Sequence, residues 1–173
     1  MGLEGDNTMH IKRLAQHLLM TNWRVKQLFP RHTLRTIEQA IKASETTHLG
    51  EIRFVVEGAL DGTPLFKGQS ARDRAIEVFA QLRIWDTEYN NGVLIYLLLA
   101  DRAVEIVADR GLHAKVGAPA WEQICSQMET SLQQANYEGG VLSGVQAVTQ
   151  HLVAHFPADG GGQNALPDAP VIL

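Results

Sequence analysis

The stretch Gly92 to Ala100, GVLIYLLLA, holds nine residues without a charge, and it constrains the fold more than any other segment. A membrane-crossing helix needs about twenty such residues, so this run reads as a strand buried on both faces. Ala100, Asp101 and Arg102 turn the chain, and AVEIVAD, Ala103 to Asp109, follows as a second strand. So short a connection makes the pair an antiparallel hairpin. A strand apolar on both sides requires helices over both faces of its sheet.

The flanking segments supply them. EIRFVVE, Glu51 to Glu57, is rich in β-branched and aromatic residues and reads as the first strand. Ser70 to Leu82 is an amphipathic helix with Ala71, Ala75, Val78, Phe79 and Leu82 inward, which makes the connection to 92–100 a parallel crossover. After a loose start over Met1 to Asn7, Thr8 opens a helix carrying Ile11, Leu14, Leu18 and Leu19. Thr21 or Asn22 caps a short second helix that Pro30 closes, and Thr33 opens a third. Gly58 to Gly68 reads as a loop. Pro119 starts a helix through Ala135, and Gly139 and Gly140 precede a last one ending near Phe156. This order predicts an α/β chain: a three-layer α/β/α sandwich around a small mixed β-sheet, with extra N-terminal helices. Three strands are expected, with room for a fourth short one.

The corresponding division is a helical extension over 1–32, the sandwich over 33–156 and a flexible Gly/Pro-rich tail over 157–173. The extension reads as cover for the domain's own core, with a partner-facing surface as the alternative. The tail's apolar end, LPDAPVIL, can stay unstructured or dock as an edge strand on this domain or another copy.

Composition removes whole classes of function. The 173 residues, 45% hydrophobic, suffice for one packed domain. Fifteen Lys+Arg against 19 Asp+Glu give a net charge of −4, which argues against nucleic-acid binding by bulk charge. The single cysteine, Cys125, excludes a disulfide framework, and its register with Trp121, Ile124 and Met128 makes it a core thiol. Glu4, Asp6 and Lys12 interrupt any apolar leader, so the expectation is a cytoplasmic protein without direct membrane insertion.

Polar residues converge at one end of the expected sheet. With Leu99 opposite Ala103, Val93 falls opposite Asp109, so the loop Asp86 to Asn91 meets Asp109-Arg110-Gly111. A parallel first strand brings His48 and Glu51 to the same end. Asp86, Glu88, Asn90, Asn91 and Asp109 then offer the oxygens that a hard cation such as Ca²⁺ or Mg²⁺ prefers. The same residue types form ordinary turns, and the spacing is not that of an EF-hand. The opposite end, where open α/β sheets usually bind ligands, gathers Glu57, Asp61, Asp101 and Arg102, but Asp101 and Arg102 read first as hairpin-turn residues. His151 and His155 stand four apart on a helix but lack a third ligand, and no Walker loop, GxGxxG or GxSxG occurs.

HLGEIRFVVE, the helix ARDRAIEVFAQL, WDTEYNNGVLIYLLLADRAVEIVADRGL and the later YEGGVLSGVQAV occur together in an order that resembles the TPM domain family. That family is named for a thylakoid-lumen protein, a photosystem II repair protein and a nematode modulator of acetylcholine receptors. The resemblance runs from about Thr33 to Phe156. It implies an α/β/α sandwich, divalent-cation binding, commonly calcium, and in plant members an acid-phosphatase activity. It points to the Asp86–Asn91 loop and Asp109. Many bacterial members carry a signal peptide and a transmembrane segment or glycine-rich tail. The helical N-terminus here favours a cytoplasmic variant, where calcium is scarce and magnesium stays open.

Two functions follow as expectations. One is a non-catalytic interaction or regulatory module, working with a protein partner in a membrane-associated complex. The other is a metal-dependent phosphatase, with Arg110 or Arg53 steadying the phosphate and His48 as acid or base. The sequence identifies no nucleophile for the second.

Overall fold

A computed structural model describes residues 3–158 and 166–173. The elements run α1 (Leu3–Leu19), α2 (Asn22–Leu28), α3 (Arg31–Ser44), β1 (Glu51–Glu57), α4 (Gly62–Phe66), α5 (Ala71–Gln81), β2 (Gly92–Leu98), β3 (Ala103–Ala108), α6 (Arg110–Val116), α7 (Ala118–Gln133), α8 (Tyr137–His155) and β4 (Val171–Ile172). The sheet order is β3-β2-β1-β4, with β1 parallel to β2 and β4 and with β2 antiparallel to β3.

Alternation along β2 builds the layers. Val93, Ile95 and Leu97 enter a core shared with α2, α3, α6, α7 and α8, while Leu94, Tyr96 and Leu98 pack with Ala75 and Val78 of α5 and Leu65 of α4. Every residue of β2 is buried. The doubly covered strand and the α/β/α sandwich are thus as the apolar run requires. On β1 the alternation separates Ile52, Phe54 and Val56, which enter the first core, from Glu51, Arg53 and Glu57, which are also buried. Among the described residues, no helix is long and apolar enough to cross a membrane.

Several local expectations change. The β2–β3 register is shifted by one residue: Leu98 pairs with Ala103 and Val93 with Ala108. The turn spends four residues, Leu99 to Arg102, with Arg102 at φ 51° and its N–H bonded to the Leu99 carbonyl at 3.1 Å. Asp109 therefore sits opposite Gly92, to whose carbonyl its N–H donates at 2.8 Å. Asp109 also caps α6, a helix that the sequence pattern did not reveal.

Gly139 and Gly140 lie inside α8, which Asn136 caps by accepting the Gly139 N–H. A Cβ on Gly140 would stand 2.9 Å from the Ser131 Cβ, so Gly140 lets α8 approach α7 closely, while Gly139 leaves room for the capping side chain of Asn136. The first helix begins at Leu3, the third at Arg31 behind Pro30, and the 58–68 loop contains α4.

The chain's end forms β4 on the edge of β1, with the Leu173 N–H bonded to the Val56 carbonyl at 3.0 Å. The glycine-rich spacer of the expected flexible tail falls on 159–165, outside the described residues.

Candidate functional site

At the end of the sheet where β1 and β2 begin, the backbone brings Asn91 and Asp109 together. Asn91 is buried; its N–H donates to Thr87 Oγ1 at 3.1 Å, and its Nδ2 donates to the Leu49 carbonyl at 3.1 Å. Asp109 is also buried, and its Oδ1 accepts the Arg110 N–H at 2.7 Å. The remaining oxygens, Asn91 Oδ1 and Asp109 Oδ2, are buried without a hydrogen-bond partner. Asn90 takes φ 50° and its carbonyl accepts the Leu112 N–H at 3.3 Å, so the loop rests on the first turn of α6. A Cβ on Gly111 would lie 2.5 Å from that carbonyl, which explains the glycine.

The other three expected oxygen donors are exposed. Asp86 pairs with Arg83 at 3.0 Å, and Glu88 and Asn90 face solvent. Among the described residues, no group of three His, Cys, Asp or Glu side chains is placed to hold a metal ion. His48 is buried at the same end, just before Leu49, and burial pushes its pKa down, favouring the neutral ring. Arg110 is exposed beside Asp109.

Sequence reasoning placed Glu51 here but missed its neighbours. The Glu45 carboxyl is pushed up to about 9 by burial, by its hydrogen bond with Asp168 and by the charges of Glu51 and Asp168. Buried Arg53 faces those same three carboxyl groups, and Glu51 Oε2 accepts the Leu166 N–H at 3.3 Å. Asp168 arrives from the C-terminal segment, and nothing in local pattern announces that pairing.

The opposite end is structural. Glu57 accepts from Arg74 at 2.9 and 3.0 Å and from the Tyr96 hydroxyl. Asp101 is held by Arg13 at 2.9 Å and His17 at 2.8 Å, both from α1. Asp61 precedes α4 without a side-chain cap bond. His151 sets its ring edge-on to Trp121, centroids 5.3 Å apart. The Cys125 thiol is half-buried, and burial with nearby Glu105 pushes it up to about 12, which suppresses the nucleophilic thiolate.

Comparisons agree with this architecture. A family model described as TPM domain matches residues 25–151. The BA42 protein from the psychrophilic bacterium Bizionia argentinensis is similar in structure, with a TM-score of 0.72 and 26% identity. The match covers 82% of this chain and 93% of that one. The N-terminal domain of a P. gingivalis protein shares the fold at a TM-score of 0.59 and 21% identity, over 75% of this chain and 81% of that one. No protein of curated function matches the chain.

Proposed function

We propose that this chain, which belongs to the TPM domain family, is a non-catalytic interaction and regulatory module with a divalent-cation site at the Asn91–Asp109 end of its sheet. The observation that carries the reading is the pair of buried, unpartnered oxygens, Asn91 Oδ1 and Asp109 Oδ2, at adjoining backbone positions. Leaving such an atom buried without a partner costs about 1–3 kcal/mol, and more for a charged group. A cation would offset that cost. A carboxylate with an amide oxygen is the donor chemistry of Ca²⁺ or Mg²⁺, and Asp86, Glu88 and Asn90 lie in the adjoining loop to add oxygens. With one buried carboxylate, the affinity belongs to the weak range, Kd about 10⁻⁴–10⁻³ M. The reading includes a cytoplasmic location and a protein partner in a membrane-associated complex.

Calorimetric titration of metal-free protein with Ca²⁺ and with Mg²⁺ tests the site. Saturable heat that disappears in Asp109→Asn and weakens in Asp86→Asn supports it. Asp109→Asn keeps a capping oxygen for Arg110, so fold and site separate. Absence of heat at about 10 mM metal, well above the weakest expected Kd, or binding indifferent to Asp109→Asn, sinks it.

The second reading is a metal-dependent phosphomonoesterase, favoured by exposed Arg110 next to Asp109. It requires metal-dependent turnover of p-nitrophenyl phosphate that both Asp109→Asn and Arg110→Ala abolish. Turnover unaffected by either variant belongs to a contaminant.

A further inference from the structure

β3 is an outer strand of the sheet, and its free side opens on a cavity of about 470 Å³ between α5 and α7. Backbone groups along an antiparallel strand alternate between the neighbour and the free side. Val104 and Ile106 present theirs outward, and side chains occupy two of these groups. Glu129 Oε1 accepts the Val104 N–H at 3.0 Å, and the Arg72 guanidinium donates to the Ile106 carbonyl at 2.6 Å.

These groups stand where the main chain of another strand would run. Glu129 and Arg72 are long and flexible, and the Arg72 side chain is half exposed. They satisfy the edge without filling the space beside it. Charged side chains are one of the ways an edge strand is blunted, but these two leave the space beside β3 open. Here an arriving strand can exchange the side-chain bonds for main-chain bonds at Val104 and Ile106, one for one.

The charge around the groove selects the occupant. Glu105, Glu122 and Glu129 line it against the single Arg72, with Trp121 as its aromatic wall. Crowded, partly desolvated carboxylates gain most from a cationic partner. We propose that the groove along β3 binds an extended, basic peptide segment that adds as a fifth strand, its alternate Lys or Arg side chains meeting Glu122 and Glu129. Strand addition supplies affinity through the main chain, and the alternating side chains supply selectivity. The inference rests on the reading of the chain as an interaction module and names the surface and partner class that the reading leaves open.

The test titrates acetyl-Val-Lys-Val-Lys-Val-Lys-amide into the ¹⁵N-labelled full chain. The expected result is saturating shifts and slowed exchange at the Val104 and Ile106 amides. Affinity should fall about tenfold for the Glu-for-Lys peptide, and comparably for the peptide N-methylated at alternate residues. Glu129→Gln, which keeps an acceptor for Val104, should weaken binding severalfold without unfolding. Equal affinity of the N-methylated peptide would reduce the contact to charge attraction and overturn strand addition. Shifts confined to another surface, or none at millimolar peptide, overturn the site. The cation titration reads Asn91 and Asp109 instead, so either proposal can fail alone.

Discussion

His17 Nε2 stands 2.8 Å from Asp101 Oδ1, while His17 Nδ1 accepts the Leu60 N–H at 2.9 Å. An accepting Nδ1 assigns the proton to Nε2, so one buried ring pins the β2–β3 turn and the loop after β1 to α1. His17→Ala would leave the Leu60 N–H buried and unsatisfied. The expected cost is about 2–4 kcal/mol, read from urea unfolding.

The same contact governs the acid limb of stability. Burial alone would raise the Asp101 pKa, but hydrogen bonds from Arg13 and His17 hold the carboxyl below its ordinary 3.8. A depressed folded pKa stabilises above the unfolded value, and that gain disappears as pH falls through the folded one. Wild type should therefore exceed Asp101→Asn in unfolding free energy at pH 5–7, with the gap closing below about pH 4. A gap independent of pH would show that the charge of Asp101 contributes nothing.

Glu45 acts with the opposite sign. Its carboxyl is raised to about 9 by burial, by the bond with Asp168 and by the charges of Glu51 and Asp168. Its stabilising share is present below the unfolded pKa of 4.5 and is lost as pH rises toward 9. Glu45→Gln, which cannot ionise, should gain on wild type steadily between pH 5 and 9. The Leu173 amide, bonded to Val56, should exchange faster in wild type as the segment bearing Asp168 loosens. Parallel stability curves would refute the linkage.

Gly92 opens β2 beneath the backbone of Ile84, whose carbonyl oxygen a Cβ would overlap. Gly92→Ala should cost about 3 kcal/mol or more, since backbone cannot swing aside. Gly144→Ala meets the flexible thioether of Met128 instead and gains about 1 kcal/mol of helix propensity. Thermal melts of the two variants should rank them in that order.

Cys125, with its thiol near 12, should resist alkylation. At pH 8 iodoacetamide is expected to react about 10³-fold more slowly than with an unperturbed thiol, recovering on unfolding in urea. A rate near that of a free thiol in the folded protein would contradict the desolvated setting.

What the sequence by itself determined were the elements whose burial is written in short-range pattern. Nine apolar residues in a row demanded a central strand, the β-branched and aromatic residues of EIRFVVE marked β1, and Ser70 with its following periodicity marked α5. The end of the sheet was legible for the same reason, because a tight hairpin and a parallel crossover leave little freedom in which loops meet. Tertiary structure decided how these pieces close. A left-handed Arg102 lengthened the turn by one residue and set Asp109 opposite Gly92, next in the chain to Asn91, and each of the two side chains keeps a buried oxygen without a partner. It also set α1 on Asp101, the C-terminal strand and Asp168 on β1, and Arg72 and Glu129 along the edge of β3. Periodicity records which face of a segment avoids water. Which distant segment covers that face depends on turn geometry and on pairing of buried polar groups, and neither leaves a local trace in the chain.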